Sequence, residues 1–175
     1  MNRARNGIYA NYLGREYHVA RVYKTNEEID EMKQYKKIYA SMHIVPNSIE
    51  LVSLDRKDLL RGFVTYSDNS EGFLCIKVVK IEEIKGVFKY NSYADYCGIK
   101  CSASGPDDNG YFFIETNDDV SVAVESVVLT KLQRCGFKRG YMMGHGMFIF
   151  EKYVSPDDSN LQIFEERTEI DVNSL

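Results

Sequence analysis

The sequence predicts a mainly β protein of two tandem small barrels related by internal duplication, each with at most one short helix. Three observations carry this. Short strand-like runs recur at close spacing between turn residues. Helix signals are few. A set of landmarks also appears twice in the same order along the 175 residues.

The first landmark is a rhyme, "YANYLGREY" at 9–17 against "YADYCGIKC" at 93–101. Further on, "LLRGF" (59–63) matches "LQRCGF" (132–137), which sets Gly62-Phe63 against Gly136-Phe137. Eight residues also separate each Phe from a Gly that opens a strand-like run, Gly72 or Gly146. Finally "IKGVFKYNS" (84–92) lies against "LQIFEERT" (161–168), with Phe88 facing Phe164. The offset drifts from 84 through 74 to 76, as insertions and deletions in loops produce. The copies span residues 7–91 and 92–168, giving domains of 1–91 and 92–175. No Pro/Gly/Ser-rich linker separates them.

Each copy opens with a hairpin. "GIYANYLGREYHVARVY" alternates around Leu13-Gly14, and the second copy does the same around Cys97-Gly98, where glycine supplies a positive φ. "TNEEIDEMKQYKK" reads as a helix with Thr25/Asn26 as cap and Glu27 and Glu28 in its first turn, though its apolar stripe is thin. Strands are expected at 37–45, 48–54, 72–79, 111–116, 120–124 and 146–154. In "ESVVLTKLQRCGF", Val128, Leu132 and Cys135 share a helical face that Gly136 terminates. Asn109-Gly110 and "TNDD" (116–119) mark turns. Five or so short strands in about 80 residues, with one short helix, fit a small twisted barrel of SH3-like type.

The composition is that of a globular chain, 44% hydrophobic and 27% charged, with 13 Tyr and 9 Phe. No apolar run approaches the roughly 18 residues of a spanning helix. The charged start lacks an apolar stretch behind it, so no secretory signal is read, no membrane is involved, and the cytoplasm is the expected compartment. The net charge of −4 hides an asymmetry. Residues 1–91 hold 15 basic and 12 acidic side chains; residues 92–175 hold 7 and 14.

Chemistry is hard to find. Cys75, Cys97, Cys101 and Cys135 form no CxxC pair, and no histidine follows at ligand spacing, so no metal and no cofactor are expected. "DDNG" lacks the alternating ligands of a calcium loop. Phosphate-loop, dinucleotide, zinc-protease and nucleophile-elbow motifs are absent. His145, in "MMGHGMF", is the best candidate for acid–base work, but it falls on a variable loop without a nucleophile beside it. His18 and His43 lie within strand patterns and read as half-buried. No catalytic residue is therefore assigned. Nucleic-acid binding is the first alternative function, resting on "MKQYKK", "RKDLLR" and "IKVVKIEEIK", and a small enzyme with a site near His145 is the second. Acidic residues dilute each cluster, and lysines that protect strand edges explain them as well.

The acidic half is more informative. Asp107-Asp108, Asp118-Asp119 and Asp157-Asp158 all sit in turn-like contexts, where aspartate is a good turn residue in its own right. Gathered at one surface, they would also steer a basic protein partner. Tyr111, Phe112, Tyr141 and Tyr153 would supply apolar anchors. The opening "GIYANYLGREY", the recurring "YADYCGIKC" and the closing "IFEERTEI" resemble a family of small cytosolic Gram-positive proteins of two SH3-like repeats. Some of those look like immunity partners of polymorphic toxins. The resemblance implies a non-enzymatic protein-binding module that neutralises a toxin by covering its active face, and it carries over no catalytic residue. The insertion "TNEEIDEMKQYKK" departs from the pattern.

Overall fold

The computed structural model describes residues 4–70, 72–107, 109–116, 126–143 and 147–175, with the side chains of 126–127, 141–143, 147–148 and 173 excepted. The fold is mainly β, and every strand pair with an assigned register is antiparallel. The chain divides into two compact units. One is Gly7–Lys89 with Thr168–Leu175; the other is Tyr90–Arg167 with the segment ending at Asn6. This division differs from 1–91 and 92–175 at both termini. The reasons are long-range contacts that sequence adjacency does not announce. Arg5 pairs with Glu165 at 2.7 Å, Asn6 Nδ2 donates to the Ala103 carbonyl, and the Ser92 amide donates to Asn6 Oδ1. Ile170, Val172 and Leu175 pack on the core of the first unit.

In the unit of Gly7–Lys89, β1 (Gly7–Tyr12) and β2 (Arg15–Tyr23) form a hairpin. Leu13 and Gly14, at φ 50° and 78°, make the primed turn whose twist suits paired strands. Helix α1 (Asn26–Tyr35) is closed by a capping box: Thr25 Oγ1 accepts from the Glu28 amide, and the Glu28 carboxylate accepts from the Thr25 amide. A one-turn helix, α2 (Lys37–Ala40), follows. The unit continues through β3 (Ser48–Ser53), a 3₁₀ helix (Arg56–Arg61), β4 (Val64–Asn69) and β5 (Gly72–Lys80), with strand order β4-β5-β3-β2-β1.

Two expectations fail here. The unit carries more than one short helix, and 37–45 is not a strand. Ile38, Tyr39 and Met42 fall at i, i+1 and i+4, a helical spacing, and together with Ile44 they pack on one cluster. That cluster also contains Tyr23, Ile29 and Ile76, so α1 and α2 cover a sheet face whose opposite side is a separate core of Ala10, Tyr12, Tyr17, Ile49, Leu51, Phe63 and Cys75. Ile49 and Leu51 point to one core while Glu50, between them, points to the other, as the two-residue period requires.

In the unit of Tyr90–Arg167, β6 (Val87–Tyr96) and β7 (Ile99–Ser104) form a hairpin about Cys97 and Gly98, at φ 55° and 70°. Then come β8 (Phe112–Thr116), α3 (Ser126–Arg134), β9 (Lys138–Met143), β10 (Met147–Val154) and β11 (Leu161–Ile170), with order β6-β7-β8-β10-β9 and β11 paired to β6. The expected strand at 120–124 lies outside the described residues. The core collects Ala94, Tyr96, Cys101, Ile114, Leu132, Phe137, Phe150 and Val154.

Each unit ends its helix alike. Gly62 and Gly136 take φ of 82° and 77°; the next amide, of Phe63 or Phe137, reaches back five residues to Asp58 or Leu132. This is the Schellman arrangement, and both phenylalanines are buried. A lysine caps each end: Lys77 Nζ donates to the Arg61 carbonyl at 2.6 Å, and Lys152 Nζ to the Cys135 carbonyl at 2.7 Å.

Among the described residues Asp58 is the most enclosed acid, with no exposed surface. It accepts from Ser53 Oγ at 2.6 Å, Tyr17 OH at 2.9 Å and Arg15 Nη1 at 3.0 Å, and so ties the hairpin, β3 and the 3₁₀ helix together. Replacing Asp58 with Ala strands these donors and the more distant Arg61, and is expected to cost about 3 kcal/mol in urea unfolding. Arg61→Ala, which removes a surface partner, is expected to cost less than about 1 kcal/mol.

Candidate functional site

The exposed aromatic surface of the Tyr90–Arg167 unit follows from strand alternation. In β8, Phe112, Ile114 and Thr116 point inward, which leaves Phe113 outward. Phe112, expected as an anchor, is therefore a core residue; the strand's period places its neighbour on the surface instead. Phe113 lies opposite Tyr153 of β10, with ring centroids 5.1 Å apart. Tyr153 is 61% exposed and Tyr111, one residue before the strand, 45%.

Two loops border these rings. Phe112 and Val154 are paired, so the loop entering β8 and the loop leaving β10 emerge at the same end of the sheet. In the first, Asp107 Oδ1 accepts from the amides of Asn109 (3.0 Å) and Tyr111 (2.8 Å), and its own amide donates to the Tyr111 carbonyl. A Cβ on Gly105 would stand 3.0 Å from the Tyr111 carbonyl oxygen and 3.3 Å from the Phe112 Cα, so the turn closes only on glycine. Asp107 thus holds Tyr111 in place. In the second loop, Asp158 accepts from the Asn160 amide at 2.9 Å and from Tyr96 OH at 3.0 Å. Those donors, the amide first, hold its carboxyl below the ordinary aspartate value. Asp157 is exposed, and its amide donates to Ser155 Oγ.

The structure therefore gathers Asp107, Asp157, Asp158, Tyr111 and Tyr153 at one end of one sheet, with two of the three acids occupied in shaping loops. Asp108, Asp118, Asp119 and His145 lie outside the described residues. Tyr141 is in β9, but its side chain lies outside them too. His18 sits beside Tyr9, and burial lowers its pKa from the ordinary value. His43 is exposed and outside any strand.

Sequence reading missed three features of the Gly7–Lys89 unit. Glu50 is buried and accepts from Tyr23 OH at 2.8 Å, and the buried Tyr39 packs in the same cluster as Tyr23. Period-2 alternation put Glu50 opposite the face of Ile49 and Leu51, but only the helical cover buries that face. Leu60 stands almost wholly in solvent on the 3₁₀ helix, with Leu54, Leu59 and Val64 also exposed nearby in the chain. A cavity of about 670 Å³ is lined by Lys24, His43, Asn47 and Lys80 over Val45, Pro46 and Ile81; Lys80 is paired with Glu82 at 3.3 Å. Among the described residues, no group of three or more His, Cys, Asp or Glu could hold a metal ion, and no helix is long and apolar enough to cross a membrane.

These features define a mainly β protein with an exposed aromatic surface bordered by acids. The chain matches the model of the family described as uncharacterised conserved protein UCP033725 over residues 31–172, and it belongs to that family. No curated protein and no solved structure matches it.

The Tyr23–Glu50–Tyr39 cluster makes stability depend on alkaline pH. Burial, then the nearby Glu50 carboxylate, raises both phenols above the ordinary value of 10.0, Tyr39 to about 12. The unfolded chain ionises first, so the contribution is complete below pH 10.0 and is lost as pH rises toward about 12. Urea midpoints should fall across that window, and the fall should be shallower in Tyr39→Phe.

Proposed function

We propose that this protein is a non-enzymatic binding module, made of two copies of one SH3-like unit, that captures a basic protein and covers its active face. A toxin is the kind of partner that the sequence resemblance implies. The observation that carries this reading is the outward set of Tyr111, Phe113 and Tyr153, bordered by Asp107 and Asp157 on two hydrogen-bonded loops. Rigid aromatic rings with few rotors give contact area at low entropic cost, and nearby acids speed the encounter with a cationic surface.

The duplication is supported by side chains that recur in the same roles. Ala10 and Ala94 are both fully buried on the first hairpin strand. Tyr12 and Tyr96 precede the primed turns, Phe63 and Phe137 follow the helix-ending glycines, and Lys77 and Lys152 cap the helix ends. Nucleic acid is the weaker alternative because arginines that would meet phosphates are already engaged. Arg56 pairs with Asp68 at 2.6 Å, and Arg61 donates to Tyr17 OH and lies 3.4 Å from Asp58.

The test begins with pull-down from the native cell, with products of adjacent genes tried first, followed by association kinetics on the captured protein. Tyr153→Ala is expected to weaken binding by about 2 kcal/mol, mostly through faster dissociation. Asp157→Asn is expected to slow association at low ionic strength and to match wild type at high salt. Equal affinity of Tyr153→Ala and wild type for the captured protein would overturn the assignment of this face. Retention of the wild-type protein on heparin at moderate ionic strength would favour nucleic acid.

A further inference from the structure

The structure assigns a thiol-modification site to Cys97 and Cys135: we propose that the two join in a reversible intramolecular disulfide on mild oxidation. Cys97 occupies the β6–β7 turn and Cys135 follows the last turn of α3; both are half-buried and pack on one core, and after burial the Cys135 thiol is the next influence that raises the Cys97 pKa. The backbone on either side is already fastened. Lys131 of α3 donates to the Gly98 carbonyl at 3.0 Å. The Lys152 ammonium bridges the Tyr96 hydroxyl at 2.6 Å and the Cys135 carbonyl at 2.7 Å. Turn and helix end are thus held together before any covalent bond forms.

The other two thiols are placed differently. Cys75 and Cys101 are fully buried, and their sulfurs donate to the carbonyls of Ser53 and Ile99. In the Gly7–Lys89 unit, the residues that occupy the same roles as Cys97 and Cys135 are Leu13, in the hairpin turn, and Arg61, whose carbonyl the lysine caps. The architecture therefore closes without a thiol at either place, so packing does not require this pair.

With a small disulfide such as oxidised glutathione as the electron acceptor, the balance is simple. One thiol loses its proton and attacks a glutathione sulfur, which releases one glutathione thiolate and leaves a mixed disulfide. The second thiolate attacks the protein sulfur of that bond and releases the other glutathione. Two S–H bonds and one S–S bond are lost, one protein S–S bond and two glutathione thiols are formed, and two electrons pass to the oxidant. Burial, with the neighbouring thiol, raises Cys97 above the ordinary thiol value, so the reaction should quicken as pH rises.

The experiment incubates the folded full-length protein with oxidised glutathione at a pH of about 8.5, quenches with acid, and counts thiols in denaturant. The expected result is a fall from four reactive thiols to two, a peptide linking Cys97 to Cys135, and full reversal by dithiothreitol. Oxidised protein should also unfold at a higher temperature, because the link closes a loop in the unfolded chain. Cys97→Ser should form no internal bond and take up one glutathione instead. Mapping on the wild type needs no variant to fold. Four persisting thiols, stable glutathione adducts on both residues, or a link that maps to Cys75, Cys101 or a second chain would each overturn the proposal.

Discussion

One ammonium group in each unit sets the geometry of its surroundings. Lys77 and Lys152 each extend from a strand to the carbonyl just before a helix-ending glycine, 2.6 and 2.7 Å away. Each also stands over a hairpin tyrosine, 5.0 Å from the Tyr12 ring centroid and 4.3 Å from that of Tyr96. A cation over an aromatic face that also satisfies a helix-end carbonyl holds strand, hairpin and helix at fixed spacing. The glycine is part of the same constraint. A Cβ on Gly62 or Gly136 would come within 3.2 Å of the ammonium, and the backbone there is left-handed. The buried phenylalanine that follows is consequently aimed into the core by the turn itself.

What the sequence disclosed was local chemistry. The two hairpins were legible because Leu13-Gly14 and Cys97-Gly98 interrupt alternating strands. The helix at Ser126–Arg134 was legible from Val128, Leu132 and Cys135 on one face and Gly136 after it, and the capping box at Thr25 was half visible in Glu28. What stayed hidden depends on the other side of an element. Tyr39 reads equally well in a strand until its cluster with Tyr23 and Ile76 is known. Phe112 and Phe113 are adjacent and alike, and only the pairing of β8 decides which one meets solvent. The burial of Asp58 and Glu50 arises from donors 5 to 43 residues away, which no local pattern encodes.

The candidate binding surface shows the same division between shape and charge. Read as a string, three aspartate pairs suggest a field of negative charge. In the folded chain Asp107 and Asp158 spend their acceptors on backbone amides, and this work fixes where Tyr111 stands and how β10 turns toward β11. The turn-forming role and the recognition role of aspartate are therefore not competitors here. The first positions the aromatic rings, and under the proposed function the remaining charge of the exposed carboxylates would orient a basic partner.

The helical insertion after β2 has a consequence for how sequence change is tolerated. By laying Ile29, Tyr39 and Ile44 on the second face of β3 and β5, it converts a wettable sheet surface into interior. Outward substitutions on those strands are then core substitutions, and drift there is costly. The Tyr90–Arg167 unit keeps Phe113 and Tyr153 on a face that no described helix covers, where a side chain can change without opening a void. A substitution there alters surface, whereas one on the covered face of β3 or β5 alters interior.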